Sequence, residues 1–342
     1  MSRVIQLCLL VVFSLSVSLL AAGQIPAPAP LNYTNIDLAG QQQTIVGGIN
    51  DAGIMVGAYR DGAGAQHAYI TGKDGSFRTV DFPGAIATLG EGINNRGDIV
   101  GSYADAQNVR HGFLFSDGKL TTIDFPDPDA IFNFAADIND RGDIAGIYNT
   151  SDGGIHGYIF TRDGFTSIDL SQAPFAPITQ AFGIDNRDRV TGEFADADFN
   201  LHGFVFQSGS AQQVDVPGEQ QTGVNGISER SELVGSALDD DFVQHGFLLS
   251  KGTFLTVDFP GADATAPSKV NEKGTIVGRY FEFTPVLQIH SFLAVPGAGN
   301  GNVSATQNQG APRPRLTRIC GSQEWRDHPE DIKDPGSCAV QH

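Results

Sequence analysis

Cysteine, tryptophan and basic residues are scarce in this sequence, and their scarcity narrows the classes of fold and of partner that the protein can have. The 342 residues include three cysteines and one tryptophan, so a fold stapled by many disulfides is excluded. The 21 lysines and arginines are outnumbered by 39 aspartates and glutamates, which gives a formal net charge of −18. A nucleic-acid-binding surface needs a concentrated basic patch. We therefore do not expect nucleic acid as a partner.

Local catalytic motifs are also missing. The sequence has no Gly-x-Ser-x-Gly nucleophile elbow, no phosphate-binding P-loop and no His-Glu-x-x-His zinc motif. Its Gly-x-Gly runs lack the strand-to-helix context of a dinucleotide-binding fold. No catalytic residue can be assigned from motifs alone.

The first 23 residues predict a secretory signal peptide. A short start containing Arg3 precedes an apolar run from Val4 to Leu20 and small residues up to Gly23. An uncleaved membrane anchor is the alternative, since such a run could just cross a thin bilayer. Serines and a glutamine dilute the run, which favours cleavage. We expect a secreted or periplasmic protein with no membrane span after cleavage.

Two further segments differ in composition from the rest. Residues 24–32 form a Pro/Ala linker, which is expected to be stiff and extended. Residues 297–342 begin as a Gly/Asn-rich linker and continue as a tail that contains Cys320 and Cys338. Because Cys8 leaves with the signal peptide, these two are expected to pair in an oxidising compartment.

Between residues 33 and 296 a unit of about 44 residues recurs six times. Its second copy reads Gly92-Ile-Asn94, then Val100-Gly101, His111-Gly-Phe113 and Thr122-Ile-Asp124. The first of these anchors recurs at spacings of 44, 45, 46, 43 and 43 residues. Four short β-rich runs separated by Gly, Asp and Asn turns leave no room for a helix. Each repeat therefore predicts a four-stranded antiparallel blade of a β-propeller.

The sixth repeat lacks its fourth run, and a spare copy of that run lies at residues 33–38. The fold class we predict is therefore all-β: a monomeric six-bladed β-propeller over residues 33–296. The N-terminal strand would complete the last blade and remove the exposed sheet edges. An open β-solenoid is the alternative, and it gives no reason for the permuted strand.

One histidine per repeat precedes an aspartate of the fourth run, by 13 residues in repeats 2 to 5. A two-residue hairpin midway would place the two side chains opposite each other on paired strands. We interpret the pairs as buried structural hydrogen bonds and not as metal or catalytic sites. The predicted pairs are His67–Asp81, His111–Asp124, His156–Asp169, His202–Asp215, His245–Asp258 and, across the ring closure, His290–Asp37.

The loops between second and third strands vary, and they share one face with the links between blades. Binding usually resides where a fixed scaffold varies. Acids and aromatics in the last three of these loops suit a sugar. The candidate ligand-binding residues are Asp196, Asp198, Phe199, Asp239, Asp240, Asp241, Phe242, Phe281 and Phe283.

Two alternatives stay open for these loops. The run from Asp196 to Asn200 starts like a calcium loop but lacks the downstream Gly and Glu of an EF-hand. Calcium is therefore a minor possibility, and no other cofactor or metal is expected. The loops are otherwise simply solvated, with their Phe side chains packed inward.

The repeat resembles that of the HAF-repeat family of predicted extracellular bacterial proteins, named for a His-Ala-Phe tripeptide. The resemblance covers roughly residues 33–296, and it implies secretion and a repeat architecture without any established activity. The matching tripeptides are His67-Ala-Tyr69, His111-Gly-Phe113, His156-Gly-Tyr158, His202-Gly-Phe204, His245-Gly-Phe247 and His290-Ser-Phe292.

The sequence favours a non-catalytic binding or interaction propeller whose partner is a glycan or a protein surface. The alternative is a propeller hydrolase or lyase that acts on a carbohydrate or lactone at the central channel. Glu193 and Arg279, next to the central glycines, are the polar candidates for such a channel. A purely structural component of the cell envelope is a third hypothesis.

Overall fold

The computed structural model describes residues 30–173, 175–283 and 286–297. In these ranges the chain forms strands and turns and no helix. The strands of repeat 1 are β2 (Gln43–Ile49), β3 (Met55–Arg60), β4 (Gln66–Thr71) and β5 (Phe77–Thr79). Those of repeat 2 are β6 (Ala87–Ile93), β7 (Ile99–Ala104), β8 (Arg110–Ser116) and β9 (Lys119–Thr122). Those of repeat 3 are β10 (Ala130–Ile138), β11 (Ile144–Thr150), β12 (Ile155–Thr161) and β13 (Gly164–Ile168).

The later repeats follow the same plan. Repeat 4 has β14 (Thr179–Ile184), β15 (Val190–Ala195), β16 (Leu201–Gln207) and β17 (Ser210–Val214); repeat 5 has β18 (Gln221–Ile227), β19 (Leu233–Leu238), β20 (Gln244–Ser250) and β21 (Thr253–Thr256); repeat 6 has β22 (Ala264–Val270), β23 (Ile276–Glu282) and β24 (Gln288–Pro296).

In every repeat, consecutive strands pair antiparallel in chain order. Repeats 1, 2 and 3 are also joined by single parallel bridges, Gln66 to Ala87 and Arg110 to Phe132, so that they form one continuous sheet of twelve strands. The first, second and third strands carry the Gly-rich run, the central glycine and the His tripeptide. The predicted four-stranded units are therefore present.

The strand from the other end of the chain completes repeat 6. β1 (Leu31–Asn35) pairs antiparallel with β24, and Tyr33 lies opposite Ala294. The resulting sheet has the order β1-β24-β23-β22. This is the pairing that the permuted sequence predicts.

The central glycine of each second strand is required by close packing on both sides. At Gly101, a Cβ atom would collide with the carbonyl oxygen of Leu89 and would lie 2.9 Å from Cε1 of Phe113. Leu89 belongs to the inner strand, and Phe113 is the last residue of the His tripeptide. The glycine therefore lets the tripeptide's aromatic ring lie flat across the sheet, where it is fully buried.

The hydrophobic core lies between neighbouring repeats. One cluster joins Val100 and Ile123 of repeat 2 to Tyr158 of repeat 3, and similar clusters join repeats 1 and 2, 3 and 4, 4 and 5, and 5 and 6. A sixth cluster packs Val46 and Ile49 of repeat 1 against Val277 of repeat 6. Each repeat thus buries its apolar faces against the repeats on either side.

A chain of asparagine side chains links the turns after the inner strands. Asn50 donates through Nδ2 to the carbonyl of Asn94, Asn94 to that of Asn139, and Asn139 to that of Asp185, at 3.0 to 3.2 Å. Asn271 of repeat 6 donates to the carbonyl of Asn50 of repeat 1 at 3.0 Å. In four of the six repeats, this asparagine thus ties the turn after the inner strand to the turn of the next repeat.

Candidate functional site

The face formed by the loops between second and third strands and by the links between repeats is called the variable face here. Ten large apolar side chains are exposed among the described residues, and nine of them lie on this face. They are Ile86, Val109, Ile131, Phe175, Phe199, Phe242, Phe283, Val286 and Leu287. The tenth, Phe77, lies beside a hairpin on the opposite face. Soluble proteins rarely gather exposed apolar side chains on one surface unless something binds there.

Three of the four predicted phenylalanines are exposed. Phe199 and Phe242 occupy loop tips with φ of 64° and 59°, and they are 36% and 49% exposed. Phe283 is 36% exposed, and its backbone N–H donates to Asp263 at 2.8 Å. The alternative of inward-packing Phe side chains is therefore wrong for these three. Phe281 differs, because it lies within β23 and is half-buried.

A partner for Phe199 was not foreseen. The ring of Phe175, 71% exposed, lies 5.1 Å from that of Phe199 between ring centroids. Phe175 belongs to the link before β14, which departs from the repeat, and this is why the repeat pattern gives no sign of it. No hydrogen bond, ion pair or aromatic pair among the described residues joins the loops of repeats 4, 5 and 6 to one another, so their action as one sector stays a prediction.

Two of the predicted ligand-binding aspartates accept hydrogen bonds from backbone groups of their own loops. Asp196 accepts through Oδ1 from the backbone N–H groups of Asp198 and Asn200, each at 2.8 Å. Asp239 accepts in the same way from Asp241 and Val243. The side-chain amide of Asn200, which donates to Oδ2 of Asp196 at 3.1 Å, together with these backbone bonds and His202, lowers the pKa of Asp196 to about 2. Such inward-turned carboxylates fix the loop shape and leave little for a cation.

The remaining acids of these loops face solvent. Asp198, Asp240 and Asp241 are exposed, and Asp240 accepts a hydrogen bond from Nε2 of Gln220 at 2.6 Å. Within the described part of the chain, no three His, Cys, Asp or Glu side chains are arranged to hold a metal ion. The exposed carboxylates are thus available as hydrogen-bond acceptors beside Phe199 and Phe242.

The structure places all six predicted His–Asp pairs within hydrogen-bonding distance. The distances from Nδ1 to the nearest carboxylate oxygen are 2.7 Å for His67–Asp81, 2.7 Å for His111–Asp124, 2.5 Å for His156–Asp169, 3.1 Å for His202–Asp215, 2.8 Å for His245–Asp258 and 2.6 Å for His290–Asp37. The expectation that the pairs are buried is wrong, since their carboxylates are 30% to 53% exposed. They lie at the outer edge of the sheets and not in the core between repeats.

A second acid at four of the six histidines was missed. In four repeats the first aspartate of the variable loop, six residues before the His, faces Nε2 at 3.3 to 3.6 Å: Asp61, Asp105, Asp196 and Asp239. Thr150 takes that place in repeat 3. The constant spacing of six was the available signal. Each of these histidines therefore ties the variable loop to the outer strand of its own repeat.

Two flanking carboxylates favour the protonated imidazole, because a carboxylate accepts hydrogen bonds and donates none. At His245 the hydrogen bond to Asp258, opposed by desolvation and assisted by Asp239, raises the pKa to about 9. The histidines of repeats 1 and 4 are shifted in the same direction.

We expect the contribution of His245 to stability to vanish in alkali. A group whose pKa rises on folding stabilises the folded state fully below its unfolded pKa, and the benefit is lost as pH rises through the folded pKa. The window here runs from about 6.5 to about 9. Thermal unfolding of wild type and His245→Gln should differ most at pH 6 and least at pH 9.5.

Lys251→Gln supplies the control, because it removes one positive charge from the exposed hairpin of the same repeat. Its difference from wild type should be similar at pH 6 and pH 9.5. A His245→Gln deficit that stays constant across this range would show that the imidazolium adds nothing.

Glu193 projects from the second strand of repeat 4 towards repeat 5, where a Cβ on Gly223 would lie 2.5 Å from its Oε2. Its Oε1 accepts from Nε2 of Gln180 at 2.8 Å. Burial raises the pKa of Glu193 to about 7. A carboxyl group whose pKa is near neutral pH can act as a general acid or base. A hydrolase or lyase would require such a group.

None of the residues that the structure describes forms a helix long and apolar enough to cross a bilayer. The predicted signal peptide, and the pairing of Cys320 with Cys338, concern residues outside the described ranges. Both stay predictions.

No protein-family model and no curated protein matches the chain. Solved structures do resemble it. A lectin from Aleuria aurantia, described as a six-bladed β-propeller with a novel fucose recognition mode, is 12% identical with a TM-score of 0.45 and covers 78% of this chain and 100% of its own. AofleA from Arthrobotrys oligospora is 12% identical, with a TM-score of 0.46 and coverage of 80% and 94%. A gluconolactonase from Xanthomonas campestris is 11% identical, with a TM-score of 0.47 and coverage of 79% and 97%. At these values the likenesses carry no conclusion about ligand or reaction.

Proposed function

We propose that the protein is a secreted or periplasmic six-bladed β-propeller of the HAF-repeat type, which binds a glycan on its variable face without catalysing a reaction. Support for a closed ring comes from the contacts between the last repeat and the first. These are the cluster around Val46 and Val277, the bond from Asn271 to Asn50, and the completion of the last sheet by β1.

The observation that carries the function is the gathering of exposed aromatic rings beside exposed carboxylates on the variable face. Phe199 stands beside Asp198, and Phe242 beside Asp241. A pyranose ring has apolar C–H faces that stack on aromatic rings and hydroxyl groups that donate to carboxylates. Sites of this kind combine apolar area with a few polar groups that fix orientation.

The position of the chain ends also favours this face. The backbone N–H of Gly297 donates to the carbonyl of Pro30 at 2.7 Å. These residues lie at the ends of β24 and β1 that are remote from the loop between β23 and β24. The described ends of the chain therefore lie at the face opposite the variable face.

An array of neutral and acidic oligosaccharides, scored for both binding and product release, tests the proposal. We expect binding without product. Phe242→Ala should weaken it about tenfold, which corresponds to the loss of roughly 1.4 kcal/mol. Phe77→Ala is the matched control, since Phe77 is as exposed as Phe199 but lies on the opposite face. It should leave the affinity unchanged.

The second candidate function, a hydrolase or lyase of carbohydrates or lactones, is favoured by one observation, the pKa of about 7 at Glu193. Product release that Glu193→Gln abolishes would replace the binding function by this one. An array that shows neither binding nor product would overturn both and leave a protein partner or a structural role.

A further inference from the structure

Five charged side chains on the inner, second and third strands belong to neither the variable loops nor the His–Asp pairs. They are Glu91 and Asp137 on inner strands, Lys269 on the inner strand of repeat 6, Arg279 on β23, and Arg110 at the start of β8. We call these five residues the axial cluster. They carry three positive and two negative charges in a chain whose net charge is −18, and all three positive side chains act on the carboxyl group of Glu91.

Lys269 and Asp137 satisfy each other. Nζ of Lys269 lies 3.0 Å from Oδ2 of Asp137, and it donates to the carbonyl oxygens of Phe182 at 2.6 Å and Asn225 at 3.2 Å. Both side chains are 11% exposed. The bridge joins repeats 6 and 3, which face each other across the ring, so it closes the centre at this level.

Arg279 is not satisfied. No side-chain hydrogen bond from its guanidinium is formed to any described residue, and its Nε is buried without a partner. Arg279 pairs across the sheet with Ala266, three residues before Lys269 on the same inner strand. Because the register shifts between Pro267 and Lys269, Lys269 lies opposite Val277, two residues before Arg279 on β23. At about 3.3 Å per residue this places the backbone of Arg279 about 7 Å from that of Lys269, on the side of the variable face. A buried N–H donor without a hydrogen-bond partner is costly unless something binds it.

Glu91 does not neutralise this arginine by direct contact, because no ion pair within 4.0 Å joins them. Burial raises the pKa of Glu91, and the charges of Arg279, Lys269 and Arg110 oppose that rise. Repeat 1 separates repeats 6 and 2 around the ring, so an interaction of Glu91 with Arg279 requires both side chains to reach towards the centre. Arg110 donates to Oγ of Ser102 at 3.0 Å and remains partly accessible.

Once the Lys269–Asp137 bridge is set aside, the charges of two guanidinium groups act on one carboxyl group, that of Glu91, whose charged form burial disfavours. Glu193, the other acid next to a central glycine, is also kept partly neutral by burial, which raises its pKa to about 7. The balance is positive, and the groups keep partial access to solvent. A planar guanidinium recognises carboxylate and sulfate groups through two parallel hydrogen bonds. The centre of an otherwise acidic protein is thus suited to an anion.

We propose that the axial cluster binds the acidic group of a saccharide, with Arg279 as the anchor, so that the proposed glycan ligand is an acidic one. This inference rests on the proposed function and names its ligand class. The aromatic rings of the variable face would hold the sugar rings, while the carboxylate or sulfate enters the centre.

Titration calorimetry with sodium glucuronate, its neutral methyl ester and a sulfated monosaccharide tests the inference. Wild type should bind glucuronate or the sulfated sugar at least tenfold more tightly than the ester, and the two anions show which acidic group is preferred. Arg279→Gln should abolish this preference. Glu91→Gln should tighten anion binding several-fold, because it removes the competing charge. Arg162→Gln, an equal change of charge at a side chain 92% exposed in a hairpin of the opposite face, should change nothing.

Equal binding of glucuronate and its ester by wild type would overturn the inference, as would the absence of binding by all three probes. If Arg279→Gln fails to fold, Glu91→Gln still decides, since unchanged or weaker anion binding contradicts a positive axial site. The proposed function is judged separately: neutral oligosaccharides that bind the array in a Phe242-dependent way would preserve it while the axial site is rejected.

Discussion

A chain that begins at residue 39 is expected to lose cooperative folding, whereas a chain that begins at Pro30 should unfold like the full-length protein. The shorter chain lacks β1, so β24 is left as an open edge in the sheet of repeat 6. Unpaired backbone groups along such an edge promote aggregation. Size-exclusion chromatography and urea unfolding followed by circular dichroism measure both effects.

The size of this effect follows from what β1 contacts. The ring of Tyr33 packs against those of Phe259 and Phe292 at 5.8 and 5.9 Å, and burial raises its pKa to about 12. Asn35 donates to the hydroxyl of Tyr280 at 2.7 Å. Removal of one buried aromatic side chain costs about 3–5 kcal/mol, against a total stability of about 5–15 kcal/mol for a typical domain. The whole strand therefore carries enough energy to decide folding.

A peptide of residues 30–40 added in trans provides the control. It should restore a cooperative transition to the shortened chain, and the same peptide with Tyr33→Ala should not. A shortened chain that unfolds cooperatively at the wild-type urea midpoint would show that the ring does not depend on β1.

The strand order and the pairing of β1 with β24 were predictable because they follow from spacing. A histidine and an aspartate 13 residues apart, with a two-residue turn midway, have one way to meet in an antiparallel hairpin. The same argument locates His290 opposite Asp37, 253 residues away in sequence. The spacing does not predict burial, because it does not show whether the hairpin lies in the core or at the edge of the sheet. This is why the pairs were wrongly expected to be buried.

The axial cluster was harder to foresee for a different physical reason. Each inner strand carries a register shift next to its central residues, such as the one between Gly90 and Gly92. An irregularity of this kind breaks the alternation of side chains between the two faces of a strand. The alternation of side chains along β6 therefore does not predict that the charges of Arg279, Lys269 and Arg110 act on Glu91. The sequence pointed to Arg279 and Glu193 through their position beside the central glycine, but not to their partners.

Replacing Gly192 by alanine is expected to cost at least about 3 kcal/mol of the free energy of unfolding, which is the upper range for an overpacked core. The added Cβ would overlap the carbonyl oxygen of Gln180 and would lie 2.9 Å from Cε1 of Phe204. The ring can turn away, but the carbonyl belongs to the paired inner strand and cannot. The urea midpoint should therefore fall, and Phe204→Leu in the same chain should not restore it.

Gly62→Ala separates this clash from a general effect of losing a glycine. Gly62 lies in an exposed loop where a Cβ would meet no atom within 4 Å, so the stability should change by less than about 0.5 kcal/mol. If Gly192→Ala were as stable as Gly62→Ala, the inner and second strands would have to separate locally without any loss of stability. The ring of the His tripeptide could then not be what fixes a glycine at this position in all six repeats. A rescue by Phe204→Leu would instead identify the ring, and not the carbonyl, as the obstacle.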